Sequence, residues 1–342
     1  MASSITLFGA GSWGTALAVH LATAGRDVTL WARRPEAVEQ MRRTRHNPRY
    51  LNNLLIPSSV QITADVEAAA QASDLWGVAV PSQNFRDVAE RLQPFTDELG
   101  IVVSLSKGIE NDTLMTMSQV MGEVFTGVSK NQIGVLYGPS HAEEVAEGRP
   151  TTMVAAAPEE VVAEEIQKAF MTSGLRVYVN TDVIGVEISG SAKNVLAIAA
   201  GISDGVGYGD NAKAALITRG LAEIRRLGLA MGAKAQTFAG LAGIGDLVVT
   251  CMSRHSRNRA VGQQIGEGKT LDEVLDNMDM VAEGIRTTQS IHDLAKQHGL
   301  ELPITEAVHR VLFEGERPHD MVKNLMTRSA KRENWLPEEL KS

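Results

Sequence analysis

Through its first half the chain alternates short apolar, β-branched runs with stretches of helical period. Residues 4–8 form the first run. The turn Gly9-Ala10-Gly11-Ser12-Trp13-Gly14 follows, then a helical stretch over 15–24, a second run over 27–31, and a polar segment, 33–47, that reads as helix and then loop. Strand, glycine turn, helix and strand close within about 30 residues, the length of a βαβ unit. Further strands are predicted at 75–80, ended by Pro81, and at 101–104, 133–137, 152–156 and 177–180, with helical patterns between most of them. That alternation predicts an α/β fold, a Rossmann-like, doubly wound and largely parallel sheet. After Asp182 strand signals almost vanish. Helices are predicted at 185–201, 211–231, 260–267, 271–277, 284–298 and 304–313. The expected division is a dinucleotide-binding domain, 1–182, and an all-helical domain, 183–342, carrying substrate binding and catalysis, with the charged tail from 326 exposed.

Composition narrows the function classes. Of the 342 residues 44% are hydrophobic and 22% charged, which suits a folded globular protein. A formal charge of −8 argues against nucleic acid as a partner, so any anion site must be local. The single cysteine, Cys251, cannot form an internal disulfide or a thiolate zinc cluster, and the eight histidines show no metal spacing. With no secretory leader pattern and no run of eighteen uncharged apolar residues, the expectation is a cytoplasmic protein without a membrane span or metal.

The glycine turn is the first candidate site. Gly9, Gly11 and Gly14 allow a tight turn, close approach to a pyrophosphate and close helix packing, with the phosphate on the helix N-terminus. Taken alone the pattern is weak, but here a strand precedes it and a helix follows. An NAD-specific site usually carries a carboxylate at the end of the second strand, whereas this chain has Trp31-Ala32-Arg33-Arg34. Two guanidiniums there favour a 2′-phosphate, so NADP or NAD is expected, with NADPH preferred. The alternative is that Arg33 and Arg34 only begin a solvated helix.

Other candidates lie at strand ends and in the helical half. Lys107 follows the 101–104 strand at the carboxyl edge of the sheet and suits an anionic or carbonyl substrate, and Gly138-Pro139-Ser140 ends another strand. For each alone an ordinary turn is the competing reading. Lys193 lies in a helix of small and apolar residues with almost no other charge. Desolvation there would lower its pKa toward the range of general acid/base work, against the bland reading of a lysine that snorkels to solvent. A third cluster holds Asp246 after a glycine turn, then Thr250 and Ser253 to Asn258. Arg257 has the fork geometry for a phosphate, and Asp246 would hold Lys193 or accept a substrate hydroxyl.

Taken in order, Gly9 to Ala16, Ser106-Lys107-Gly108, Gly138-Pro139-Ser140, Lys193-Asn194, Leu241 to Leu247, Ser256 to Arg259 and Val281 to Gly284 make the chain resemble the bacterial-type NAD(P)-dependent sn-glycerol-3-phosphate dehydrogenases, over about residues 4–330. The resemblance implies reversible hydride transfer between NAD(P)H and dihydroxyacetone phosphate, giving sn-glycerol 3-phosphate for phospholipid synthesis. It also implies cofactor contacts at Ser12, Trp13, Arg33, Arg34, Tyr50, Lys107, Ala142, Arg257, Val281 and Glu283. Substrate contacts are implied at Lys107, Gly138, Ser140, Lys193, Asp246, Ser256, Arg257 and Asn258, with Lys193 the general acid/base. Two positions depart from the family pattern: Met252 stands where a small hydroxyl residue is expected, and His141 where an aromatic is common. The competing readings are a dehydrogenase of the same architecture acting on another hydroxy or phospho acid, and a dinucleotide-binding redox sensor without turnover. A homodimer through the helical domain is compatible with the sequence, which shows no distinct interface pattern.

Overall fold

A computed structural model describes residues 4–97, 99–276, 278 and 282–329. Its strands are β1 (Ile5–Phe8), β2 (Val28–Trp31), β3 (Gln61–Thr63), β4 (Leu75–Val78), β5 (Ile101–Ser104), β6 (Ile133–Tyr137), β7 (Thr151–Ala156) and β8 (Leu175–Asn180). Between them run α1 (Ser12–Thr23), α2 (Pro35–Thr44), α3 (Val66–Ala70), α4 (Phe85–Leu92), α5 (Met117–Val124), α6 (Ala142–Ala146) and α7 (Glu160–Phe170). The helical half contains α8 (Val183–Val206), α9 (Gly209–Ala230), α10 (Asp246–Met252), α11 (Arg257–Gly266), α12 (Leu271–Asp276), α13 (Glu283–Gln297), α14 (Pro303–Phe313) and α15 (Pro318–Met326).

One sheet runs β3-β2-β1-β4-β5-β6-β7-β8. All neighbours are parallel except β6 and β7. Leu7 of β1 lies opposite Leu30 of β2 on one side and Gly77 of β4 on the other. The winding therefore reverses beside β1, and a crevice opens beyond the carboxyl ends of β1 and β4, where ligands bind in such sheets. Successive side chains point to opposite faces. Leu7, Leu30 and Val103 pack with Leu17, Ile166 and Phe170, while Phe8, Trp31 and Val102 pack with Phe85, Val120 and Phe125. Both faces are covered, so the strands read as unbroken apolar runs.

The long helix α8 is the axis of the helical half, buried from Gly185 to Ser203. Among the described residues it alone is long and apolar enough to cross a membrane, and 94% of that apolar window is buried inside the protein. Asp182 caps it: one carboxylate oxygen accepts from Gly185 N at 3.0 Å, the other from Lys234 N at 2.8 Å and Thr237 Oγ1 at 2.5 Å. On α8, Glu187 is buried and accepts from Ser118 N at 2.9 Å and Ser118 Oγ at 2.5 Å, tying the helix to the start of α5. A Cβ at Gly262 of α11 would collide with the Ile198 carbonyl, so α8 and α11 touch backbone to backbone.

The structure extends several expected elements. The predicted helix ended at Gly201, but α8 runs through Gly201 and Gly205 to Val206, with Gly207 at φ 86° as its C-cap. Those inner glycines serve close packing, where the sequence pattern suggests a stop. Strand β3 escaped prediction because it is three residues long at the sheet edge. Helix α15 escaped because only Met321 of it is buried, which leaves no periodic apolar face. The segment from Leu241 to Gly245, expected as a turn, is kinked at Gly243, whose backbone is non-helical at φ −88° and ψ −105°, and leads directly into α10. Of the tail expected to be exposed, Met326 is 81% exposed, and residues 330–342 lie outside the described residues.

Candidate active site

The glycine turn stands at the carboxyl end of β1. Gly9 has φ +123°, which an L side chain rarely adopts, and a Cβ on Gly14 would collide with the Gly9 carbonyl oxygen. Helix α1 thus starts hard against the strand, and its first residues, Ser12 and Trp13, line the crevice. Asn47 secures the turn from outside, donating from Nδ2 to the Ala10 carbonyl at 3.0 Å and to Thr15 Oγ1 at 2.8 Å. The sequence reading missed Asn47 because it lies 32 residues from Thr15, in a loop with no local pattern.

From this turn a cleft of about 500 Å³ runs across the strand ends. Of the expected cofactor residues, Gly9, Gly11, Ser12, Trp13, Arg33, Arg34, Tyr50, Lys107, Ala142, Arg257 and Glu283 all line it. Arg33 and Arg34 are exposed at the end of β2. Gly14 stands behind the wall, and Val281 lies outside the described residues. The Glu283 carboxylate accepts from Ser82 Oγ at 2.6 Å. Burial raises its pKa, opposed by the Ser82 hydroxyl and the charge of Arg257. A turn with no room for a Cβ at Gly9 or Gly14, a helix N-terminus that lines the cleft and a paired cationic edge together fit a dinucleotide.

At the other end of the cleft two lysines share one carboxylate. Lys107 donates to Asp246 Oδ2 at 2.8 Å and to the Gly138 carbonyl at 2.8 Å. Lys193 donates to Asp246 Oδ1 and, at 3.0 Å, to Thr250 Oγ1. Asp246 is 1% exposed and lies behind the part of the wall formed by Lys107, Lys193 and Thr250. Burial pushes the Lys193 ammonium down to about 7; Lys107 adds to the depression and Asp246 opposes it. Lys107 is itself held in place, since the Tyr137 hydroxyl donates to the Ser106 carbonyl and Ser106 Oγ bridges Val78 O and Val80 N at 3.1 and 3.0 Å. Thr250 was legible in the sequence: one turn after Asp246 on α10, it shares that face and donates to the Asp246 carbonyl at 2.6 Å.

The remaining expected substrate residues converge on the same end. Ser140 Oγ donates to the Gly138 carbonyl at 2.9 Å, and Gly138 itself, at φ +146°, lies behind the wall. Ser256 caps α11 by accepting from Arg259 N at 3.2 Å, and exposed Arg257 opens that helix into the cleft. Asn258 Oδ1 accepts from Gly284 N at 2.9 Å, leaving its Nδ2 as the donor for a ligand. His141 lines the cleft beside His255, their ring centroids 6.0 Å apart. Met252, 62% exposed, lies outside the cleft wall.

Over residues 4–163 the chain matches the family described as NAD-dependent glycerol-3-phosphate dehydrogenase N-terminus, and over 182–323 the one described as its C-terminus. The chain belongs to the NAD-dependent glycerol-3-phosphate dehydrogenase family. It is 72% identical to "Glycerol-3-phosphate dehydrogenase [NAD(P)+] 2" of Salinibacter ruber, across 100% of this chain and 99% of that protein. It is 53% identical to a glycerol-3-phosphate dehydrogenase [NAD(P)+] of Chlorobium phaeobacteroides, across 96% and 98%. A crystal structure of the glycerol-3-phosphate dehydrogenase from Coxiella burnetii superposes with a TM-score of 0.90 at 39% identity, covering 95% of this chain and 99% of that one. D-Mandelate dehydrogenase shares only the fold, at 14% identity and a TM-score of 0.58. Membership of the glycerol-3-phosphate dehydrogenase family makes this chain an NAD(P)-binding oxidoreductase.

Proposed function

We propose that this chain interconverts dihydroxyacetone phosphate and sn-glycerol 3-phosphate at the expense of NAD(P)H, in the cytoplasm, and so feeds glycerophospholipid synthesis. The carrying observation is the Asp246 carboxylate that bridges Lys107 and Lys193 at the end of a dinucleotide cleft. Gly9, Gly11, Ser12, Trp13, Ala142 and Glu283 would hold the cofactor, with Tyr50 and Val281 added by resemblance. Arg33 and Arg34 would favour the 2′-phosphate of NADPH.

When bound, the nicotinamide supplies a hydride. The substrate carbonyl, with its C2 facing the cofactor, directs its oxygen to Lys193. As the C–H bond forms at C2, the carbonyl electron pair moves onto oxygen, and the Lys193 ammonium gives it a proton, leaving a hydroxyl and a neutral amine. Lys107 stabilises the developing negative charge, and Asp246 holds both amines in range. Ser256, Arg257 and Asn258 bind the phosphate, with Ser140 completing the far wall and Gly138 behind it holding Lys107 and Ser140 through its carbonyl. In the reverse direction neutral Lys193 accepts the proton.

Steady-state kinetics with dihydroxyacetone phosphate and either cofactor tests this reading. Turnover with lower KM for NADPH is expected. Indifference to dihydroxyacetone phosphate alongside turnover of another 2-oxo or phospho acid would favour a sister dehydrogenase. Cofactor binding with no turnover at all would favour a sensor.

We also infer a homodimer through the helical half. A mainly apolar groove of about 1210 Å³ between α8, α9, α14 and α15, lined by Leu216, Leu221, Ala222, Val311 and Met326, supports a second copy of the chain there. Sedimentation at micromolar concentration should give twice the chain mass, and a monomer would reject this assignment.

A further inference from the structure

The geometry points to His141 as a donor to the phosphoryl group of the substrate, which would make it a binding residue for the reaction proposed above. This inference rests on that reaction. His141 sits between β6 and α6, and its ring forms part of the cleft wall together with Lys193, Thr250, His255, Ser256 and Arg257. Its Nε2 is buried and meets no hydrogen-bond partner among the described residues. Buried polar nitrogens are normally paired, and an unpaired one has given up water for nothing unless a ligand completes it. His255 cannot complete it, because with 6.0 Å between ring centroids and the planes inclined at 51° the two rings are neither stacked nor hydrogen-bonded.

The electrostatics select the form in which the ring acts. Burial lowers its pKa, and so do the positive charges of Lys193 and Lys107, against the weaker pull of Glu143 and Asp246. A neutral imidazole has one N–H to donate and adds no charge to compete with the lysines. His141, Lys193 and Arg257 line the same cleft, so a phosphorylated ketone held by Lys193 at its carbonyl and Arg257 at its phosphate shares that cleft with this ring. A phenyl ring at this position would supply shape but no donor.

The test compares dihydroxyacetone phosphate with unphosphorylated dihydroxyacetone in wild type, His141→Phe and His141→Gln. Each variant must first bind NADPH as the wild type does by fluorescence titration, and His141→Ala replaces His141→Phe if it fails that check. Losing a hydrogen bond to a charged group should lower kcat/KM for the phosphorylated ketone about 10- to 100-fold, through KM. The loss should be absent on dihydroxyacetone, and Gln, which keeps an N–H, should recover most of it. A KM for the phosphorylated ketone unchanged in His141→Phe, equal losses on both ketones, or a Gln variant as impaired as Phe would overturn the inference. If wild type turns over neither ketone, the proposed function fails. Calorimetry of dihydroxyacetone phosphate on the NADPH complex then decides the role of His141: binding that His141→Phe weakens supports it, and no binding, or equal binding, overturns it.

Discussion

Lys107 and Lys193 each donate to a different oxygen of one buried carboxylate, one from the loop that follows β5 and the other from the middle of α8. The chemistry therefore depends on the meeting of the sheet with the helical half, and neither part holds a complete set of groups.

Substituting the shared carboxylate should disturb both amines at once. In Asp246→Asn two cations face each other across a neutral amide, so the Lys193 pKa falls further and less of it is protonated at neutral pH. The rate of ketone reduction should drop about 10²- to 10⁴-fold, the range for a displaced general acid, as should that of Lys193→Met. Single-turnover absorbance with NADPH already bound measures this; near-normal turnover would remove Lys193 from the chemistry.

The two directions of the reaction should show opposite pH limbs. Reduction needs the ammonium, and with Lys193 pushed down to about 7 its kcat/KM should fall as pH rises above that value. Oxidation needs the free amine, so it should rise through the same region and then level off. Asp246 is the group that raises this pKa, so Asp246→Asn should move both limbs to lower pH. A common, flat profile from pH 6 to 9 would contradict the assignment.

Replacing Arg33 and Arg34 together by serine should raise KM for NADPH about 10- to 100-fold, as expected for lost hydrogen bonds to a phosphate. KM for NADH should hardly change. Equal effects on both cofactors would mean that the arginines only solvate the start of α2.

Gly262→Ala forces a methyl group into the Ile198 carbonyl and should cost about 1–3 kcal/mol by overpacking. Urea unfolding followed by circular dichroism reads the loss. The same substitution at Gly268, where φ is +102° but nothing stands within 4 Å, serves as a control for strain without collision.

Much of the site is legible in the sequence because its residues sit at element ends. Gly9 to Gly14, Lys107 and Gly138 each follow a run of apolar residues, and Lys193 stands out as a charge in an apolar helix. What stayed hidden is contact between distant segments. Nothing local announces that Asn47 reaches Ala10, that Ser82 meets Glu283, or that Asp246 serves two lysines. Gly201 misled for the complementary reason: a glycine looks the same in sequence whether it ends a helix or lets another helix approach.

The position of Lys193 is set by counting from both directions. Asp182 anchors the start of α8, and the glycine seam with α11 fixes the helix eight residues beyond the lysine. One residue inserted between Asp182 and Lys193 would swing the amine about 100° around the axis, away from Asp246, unless the seam itself were broken. Homologues that keep the chemistry should accordingly vary in loop length almost anywhere except in this eleven-residue stretch, whose length is as much a catalytic requirement as the lysine that closes it.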